Sequence, residues 1–288
     1  MSLPFALARR FVASESLDGA FPVLAELHSG GLATTLDLLG EYVKDRDVAI
    51  TARDEYIRIV DSVGERFRGN GTDARNISIK LSMMGQKIDE SFCLENLKLL
   101  LAHAKQQDVF VRLDMEGSDI TASTLDLFGE VYPVFPDHVG VVLQAYLKRT
   151  AGDIERMCDL KARVRLCKGA YREPAAVAHQ SMKTIRERYL DYMRMLTTNG
   201  RYPGIATHDE KLISATKDFV ARENIDRDRF EFQMLYGMRP STQTDLVRQG
   251  YRMRVYVPYG KEWVPYFTRR LRERKENVWF VLKTMLKR

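Results

Sequence analysis

The sequence predicts a protein of the α/β class, a TIM-type (β/α)8 barrel, on three observations. The chain has 288 residues, 45% hydrophobic and 29% charged, which suits one barrel domain over residues 1–288. Short apolar runs alternate with amphipathic helical stretches along the chain. Polar side chains recur where those runs end, which is where a parallel barrel gathers its active site.

The runs, in order, are Thr34–Leu39, Ile77–Met83, Val109–Met115, Val139–Tyr146, Ala162–Cys167, Gly204–Thr207, Phe230–Leu235 and Met253–Pro258. Several are continuously apolar, as strands covered on both faces are. Between the first two, Val48, Ala52, Tyr56, Ile59, Val60 and Val63 recur at helical spacing and predict a helix with one buried face. Gly69-Asn70-Gly71-Thr72-Asp73 then reads as a turn into the second strand. Eight strand–helix units in about 250 residues match a barrel. A doubly wound parallel sheet satisfies the same periodicity.

Composition narrows the function. Cys93, Cys158 and Cys167 form no CxxC pair, and their odd number argues against a disulfide framework, so a reducing, cytoplasmic setting is expected. The five histidines show no paired-ligand spacing, and no metal site is expected. No apolar run approaches the ~18 residues of a spanning helix. The N-terminus lacks the long apolar core of a secretion signal. No GxGxxG supports a nicotinamide site. The net charge of +6 is concentrated: Thr268 to Arg288 carry eight Lys/Arg and two Asp/Glu, and the rest balances. Such a block suits nucleic acid, an anionic membrane or an anionic ligand, or is a solvated face. Charge alone argues for nucleic acid, which is not an expected partner.

The strand ends carry the chemistry. Lys80 closes ISIKLS, and Asp114 and Glu116 close VFVRLDME. Gln144 closes VGVVLQAY, while Arg165 and Lys168 flank the end of VRLCKG. Thr207 and His208 close GIATHD, Gln233 lies in FEFQML and Tyr256 in MRVYVPYG. Each has a plainer alternative. Asp114 could cap the next helix, Lys80 could be a surface lysine, and His208 could simply begin a helix. Gln144 and Gln233, inside apolar runs, need buried partners, and a bound polar ligand is one source. In the segment Pro265 to Glu273, Tyr266, Arg269, Arg270 and Glu273 stand at i, i+3, i+4 and i+7 and share one helix face. Two arginines beside a tyrosine make a clamp for a carboxylate, since each guanidinium donates paired hydrogen bonds. Glu273 is placed to steady one of them.

Read in order, LDLLGE, IKLS, VRLDME, VVLQAY, RLCKGAY, ATH, EFQMLYGM, RVYVPYG and YFTRRLRE resemble the proline dehydrogenase family, from about Arg10 to Glu276. The resemblance implies a distorted barrel with N-terminal helices and a last helix over its mouth. It implies FAD at that mouth and oxidation of L-proline to Δ1-pyrroline-5-carboxylate by hydride transfer from ring C5 to flavin N5, the first step of proline catabolism. At this length a monofunctional member is expected. Carried over by motif, Lys80, Arg269 and Arg270 would pair with the substrate carboxylate. Leu235, Tyr256 and Tyr266 would shape the pocket around the ring, and Asp114 and Tyr171 would stand beside it. Gln144, Arg165, Lys168, Gly169, Ala170, Tyr171, Thr207, His208, Gln233 and Glu273 would contact or surround FAD. Glu41 would face the arginine helix and gate the site by pairing with Arg269. The sequence departs from the family pattern at Arg172, where an aromatic is frequent, at Arg274, where Asn is frequent, and around Gln180 to Lys183. A related flavin barrel acting on hydroxyproline or a folate is the alternative. Tyr at both 256 and 266 favours proline.

In the C-terminal tail, Val278, Val281, Leu282, Met285 and Leu286 form an apolar stripe, widened by Trp279 and Phe280 and flanked by Lys283, Lys287 and Arg288. A last helix packed on the barrel is one reading. An interfacial helix on an anionic membrane is the other, and it suits a family that commonly passes electrons to membrane quinone.

Overall fold

The structure is a computed structural model and describes residues 5–69 and 74–273. Eight parallel strands close into a barrel in sequence order, each bonded to the next and β8 returning to β1. They are β1 (Ala33–Leu38), β2 (Asn76–Ile79), β3 (Phe110–Leu113), β4 (Val139–Gln144), β5 (Arg163–Cys167), β6 (Gly204–Ala206), β7 (Glu231–Leu235) and β8 (Met253–Tyr259). Helix α1 (Leu17–Ser29) precedes β1. The helices following successive strands are α2 (Arg46–Arg66), α3 (Glu90–Gln106), α4 (Ser118–Val131), α5 (Thr150–Asp159), α6 (Met182–Asn199), α7 (Glu210–Arg222), α8 (Pro240–Arg248) and α9 (Trp263–Glu273). Closure of β8 on β1, from Ala33↔Arg254 to Leu38↔Tyr259, rules out the open doubly wound sheet.

Each of the eight expected strands is present, and several are shorter than expected. The run Ile77–Met83 leaves the sheet after Ile79, and Leu81–Met84 form a 3-10 turn. Likewise Val109–Met115 contracts to Phe110–Leu113, and Val139–Tyr146 to Val139–Gln144. Burial continues past the last sheet hydrogen bond, through Met83, Met115 and Tyr146. An apolar pattern reports burial, not pairing, so it overran. In α2, Ala49, Ala52, Tyr56, Ile59, Val60 and Val63 face the core, whereas Val48 is 53% exposed. Ala49 takes the place expected for Val48, one residue round the first turn. The expected turn at 69–73 lies mostly outside the described residues.

The barrel interior is polar and ionised. Arg254 on β8 is 1% exposed and grips Glu231 on β7 through two bonds, Nε–Oε1 at 2.7 Å and Nη2–Oε2 at 3.0 Å. Gln233 donates to the same carboxylate at 2.5 Å. Room for this comes from Gly204 on β6, where a Cβ would overlap the Gln233 amide. Burial alone would raise the Glu231 carboxyl, but the Arg254 guanidinium overrides it and holds the group at about 2.

Glu231→Gln keeps the shape and removes the charge facing Arg254. The expected loss is about 3–5 kcal/mol of unfolding free energy, read by denaturant titration. In the parent chain this stabilisation is complete above the ordinary carboxyl value of 4.5 and fades as pH falls toward about 2, because the folded value is the lower one. The variant should lose that part of the pH dependence.

Candidate active site

The strand ends open onto a cavity of about 880 Å³. The expected site residues Lys80, Asp114, Leu235, Tyr256, Tyr266, Arg269 and Arg270 line it. So do Arg165, Lys168, Gly169, Ala170, Tyr171, Thr207, His208 and Gln233. Gln144 stands one layer back and braces the wall. Its Nε2 donates to the Glu116 carbonyl at 2.9 Å, and its Oε1 accepts from Ala170 N at 3.4 Å. The side chain of Glu273 lies outside the described set.

Two ion pairs and a tyrosine organise the floor. Lys80 follows β2 and is 6% exposed, so it is not a surface lysine. Its Nζ lies 2.7 Å from Oδ1 of Asp37 on β1, a residue with no exposure at all. Burial pushes the Asp37 carboxyl up to about 6, and the neighbouring Lys80 ammonium opposes that rise. Asp114 does not cap α4, whose N-cap position is Gly117. It accepts from Arg165 Nη1 and from Tyr256 Oη, both at 2.7 Å. Burial and the Asp114 charge push the Tyr256 phenol up, so it stays neutral and donates. Arg165 also reaches Gln233 Oε1 at 2.5 Å and Ser78 Oγ at 3.1 Å, and it thereby ties β2, β3, β5 and β7 together. The protein itself supplies the partners that buried Gln144 and Gln233 need. Arg165 Nη2 has no hydrogen-bond partner among the described residues.

At the rim, His208 Nε2 accepts from Leu235 N at 2.9 Å, so the neutral ring carries its proton on Nδ1. Asp209 caps α7 and draws in Arg186 at 2.7 Å and Lys168 at 3.3 Å. Helix α9 crosses the rim. Arg270 is 7% exposed and Tyr266 6%, which overturns the solvated-face reading of this helix. Arg269 Nη2 lies 2.6 Å from Glu41 Oε1, the pairing expected from the sequence. An adjoining face of α9 presents Trp263 and Phe267 to Leu7, Ala8, Phe11 and Val12. Gly237, at φ +73, lets the loop after β7 approach this N-terminal segment, since a Cβ there would overlap the Arg10 carbonyl.

Sequence reasoning missed Asp37, Met182, Arg186, Met238 and Arg239, which also line the cavity. Asp37 was hidden inside the run ATTLDL, where period-two alternation could have marked it as the inward polar position. Arg186 lies on α6 and Arg239 in the turn after β7, and no spacing links them to the rest. Among the described residues the lining carries seven Lys/Arg against five Asp/Glu, which suits an anionic ligand.

The family model for proline dehydrogenase matches residues 21–283. The chain is 40% identical over 281 residues to proline dehydrogenase 1 of Bacillus subtilis, covering 98% of this chain and 91% of that protein. It is 40% identical over 285 residues to proline dehydrogenase of Deinococcus radiodurans, covering 98% and 90%. Among solved structures it superposes on proline utilization A from Bdellovibrio bacteriovorus, inactivated by N-propargylglycine, with a TM-score of 0.86 and 26% identity. That alignment covers 93% of this chain and 32% of the longer one.

Arg165→Lys should not substitute for the wild-type residue. One ammonium cannot reach Asp114, Ser78 and Gln233 together, and the fork geometry is lost. The expected cost is roughly 2–4 kcal/mol of stability, measured by chemical denaturation.

Proposed function

The chain belongs to the proline dehydrogenase family and oxidises proline to Δ1-pyrroline-5-carboxylate, and we propose that it does so on bound FAD, with Lys80, Arg269 and Arg270 holding the substrate carboxylate. The family is flavin-dependent. The residues of the mouth fit a dinucleotide flavin on two counts. The unpartnered Nη2 of buried Arg165 offers a donor for a flavin carbonyl or ring nitrogen. Lys168, Arg186 and Arg239 outnumber their partners Asp209 and Glu210 by one, which leaves positive charge on the wall where a pyrophosphate would lie. Ala170 N and the backbone around Gly169, with Tyr171, Thr207 and His208, would frame the ring system. Gln144 and Gln233 would act behind it, by bracing Ala170 and Arg165.

The convergence of Lys80, Arg269 and Arg270 on one cavity is the observation that carries this reading. Bound flavin would supply the acceptor for the hydride that leaves ring C5 of proline. The chain's own work is binding and orientation. Three cations on a remote carboxylate supply binding energy that fixes the ring without touching the reacting carbon. Tyr256, locked by its bond to Asp114, walls the ring together with Tyr266 and Leu235 and excludes water. Glu41 neutralises Arg269 before substrate arrives, so the incoming carboxylate must displace it, which makes the pair a gate. The unsubstituted ring of proline suits a pocket bounded by two tyrosines.

The proposed final acceptor is a membrane quinone, reached from a peripheral contact. Among the described residues no helix is long and apolar enough to cross a membrane. The proposed contact is the C-terminal segment, whose residues 274–288 lie outside the described set. Its apolar stripe flanked by Lys283, Lys287 and Arg288 supports this reading.

The purified protein should be yellow, and anaerobic L-proline should bleach it. Arg269→Ala and Arg270→Ala should each cost about 2–4 kcal/mol in kcat/KM for proline. A folded protein that neither carries nor accepts flavin contradicts the reading, as do two arginine variants with wild-type kinetics. Vesicles rich in anionic lipid should co-sediment the full chain and not a chain ending at Glu276. Equal sedimentation of the two would remove the membrane role.

A further inference from the structure

Lys80 has a long, flexible side chain, yet it must present its charge at one point of the cavity. Two contacts fix it. Its backbone N–H donates to Tyr56 Oη of α2 at 3.3 Å, and its ammonium meets Asp37 Oδ1 at 2.7 Å. Asp37 stands opposite Ser78 in the β1–β2 register, so Lys80 starts one inward position nearer the mouth. The ammonium is therefore drawn sideways to β1. Of the three N–H bonds on Nζ, Asp37 takes one, and no other acceptor meets Nζ among the described residues. Two donors remain for a ligand. Asp37 itself lines the cavity, and apart from the nearby Tyr256 hydroxyl its buried Oδ2 has no close hydrogen-bond partner among the described residues. A carboxylate placed there for stability alone would normally have both oxygens satisfied.

We propose that Asp37 is a positioning residue for proline binding, aiming the Lys80 ammonium so that two of its N–H bonds face the substrate carboxylate. Asp37 also keeps that ammonium charged: burial would otherwise discharge it, and the adjacent carboxylates of Asp37 and Asp114 hold it above its ordinary value. The charge matters because a neutral amine binds a carboxylate weakly. The arrangement carries a cost, since Asp37 is an anion near an anionic substrate. Lys80 starts nearer the mouth and Asp37 is the more deeply buried of the two, so the substrate meets the cation first. This inference rests on the reading of Lys80 as a carboxylate ligand.

A double-mutant cycle on the FAD-loaded enzyme separates the two ideas. The variants are Asp37→Asn, Lys80→Met and both together, with KM and kcat for L-proline, flavin content and melting temperature recorded for each. Asp37→Asn should raise KM about tenfold and change kcat by much less, with flavin content unaltered. In the Lys80→Met background the same change should leave KM where Lys80→Met alone put it, because Asp37 acts through Lys80. Additive effects on KM, or a KM that stays or falls in Asp37→Asn, would overturn the inference. A wild-type KM in Lys80→Met would instead overturn the reading of Lys80 itself. Should Asp37→Asn fail to fold, Asp37→Ser takes its place in the cycle with the same outcomes.

Discussion

Charge buried along the barrel axis is costly to leave without a partner, and the site depends on three ion pairs that meet this constraint. At the base, Glu231 and Arg254 close a two-bond pair. At the mouth cavity Arg165 joins Asp114 and Lys80 joins Asp37. Each carboxylate comes from a different strand from its cation, so the pairs form only when the sheet closes in register. Isolated, any of these groups would be costly to bury. Paired, they build a floor of fixed polarity on which a small zwitterion can be held.

The pairs also explain why the mouth is stiff where it needs to be. Tyr256 cannot turn without losing Asp114, and Asp114 cannot shift without releasing Arg165. The mouth is thus braced at Tyr256 by Asp114 and, behind it, Arg165. The upper rim is built differently. Glu41 and Arg269 are partly open to solvent, and their attraction is weakened by water. A rigid floor and a more yielding rim suit a site that must admit and release a ligand without losing its shape.

Much of this was legible in the sequence. Polar residues ending apolar runs, such as Lys80, Asp114 and Tyr256, did fall on one cavity, because parallel strands must point their carboxyl ends the same way. The arginine helix was legible because helical spacing is local. The partners were not. Nothing in ATTLDL says that Asp37 will find Lys80, 43 residues away, or that Glu231 will face Arg254, 23 residues on. Such pairings are set by strand order and register, which appear only on closure. Gln144 was assigned to the cavity because it ends a strand, yet its side chain turns to the Glu116 carbonyl behind the wall. Strand ends blurred for a related reason, since Met83 and Met115 stay buried after the chain has left the sheet.

The arginine helix rests on residues from the opposite end of the described chain. Trp263 and Phe267 pack on Leu7, Ala8, Phe11 and Val12, and Trp263 Nε1 donates to Glu15 across 248 residues of sequence. During synthesis the N-terminal patch leaves the ribosome long before α9 exists. It therefore waits, apolar and uncovered, through the making of every strand. The rim can be finished only after the barrel has closed and α9 has emerged. A nascent chain of this design carries a sticky leading edge for most of its translation, a natural handhold for a chaperone.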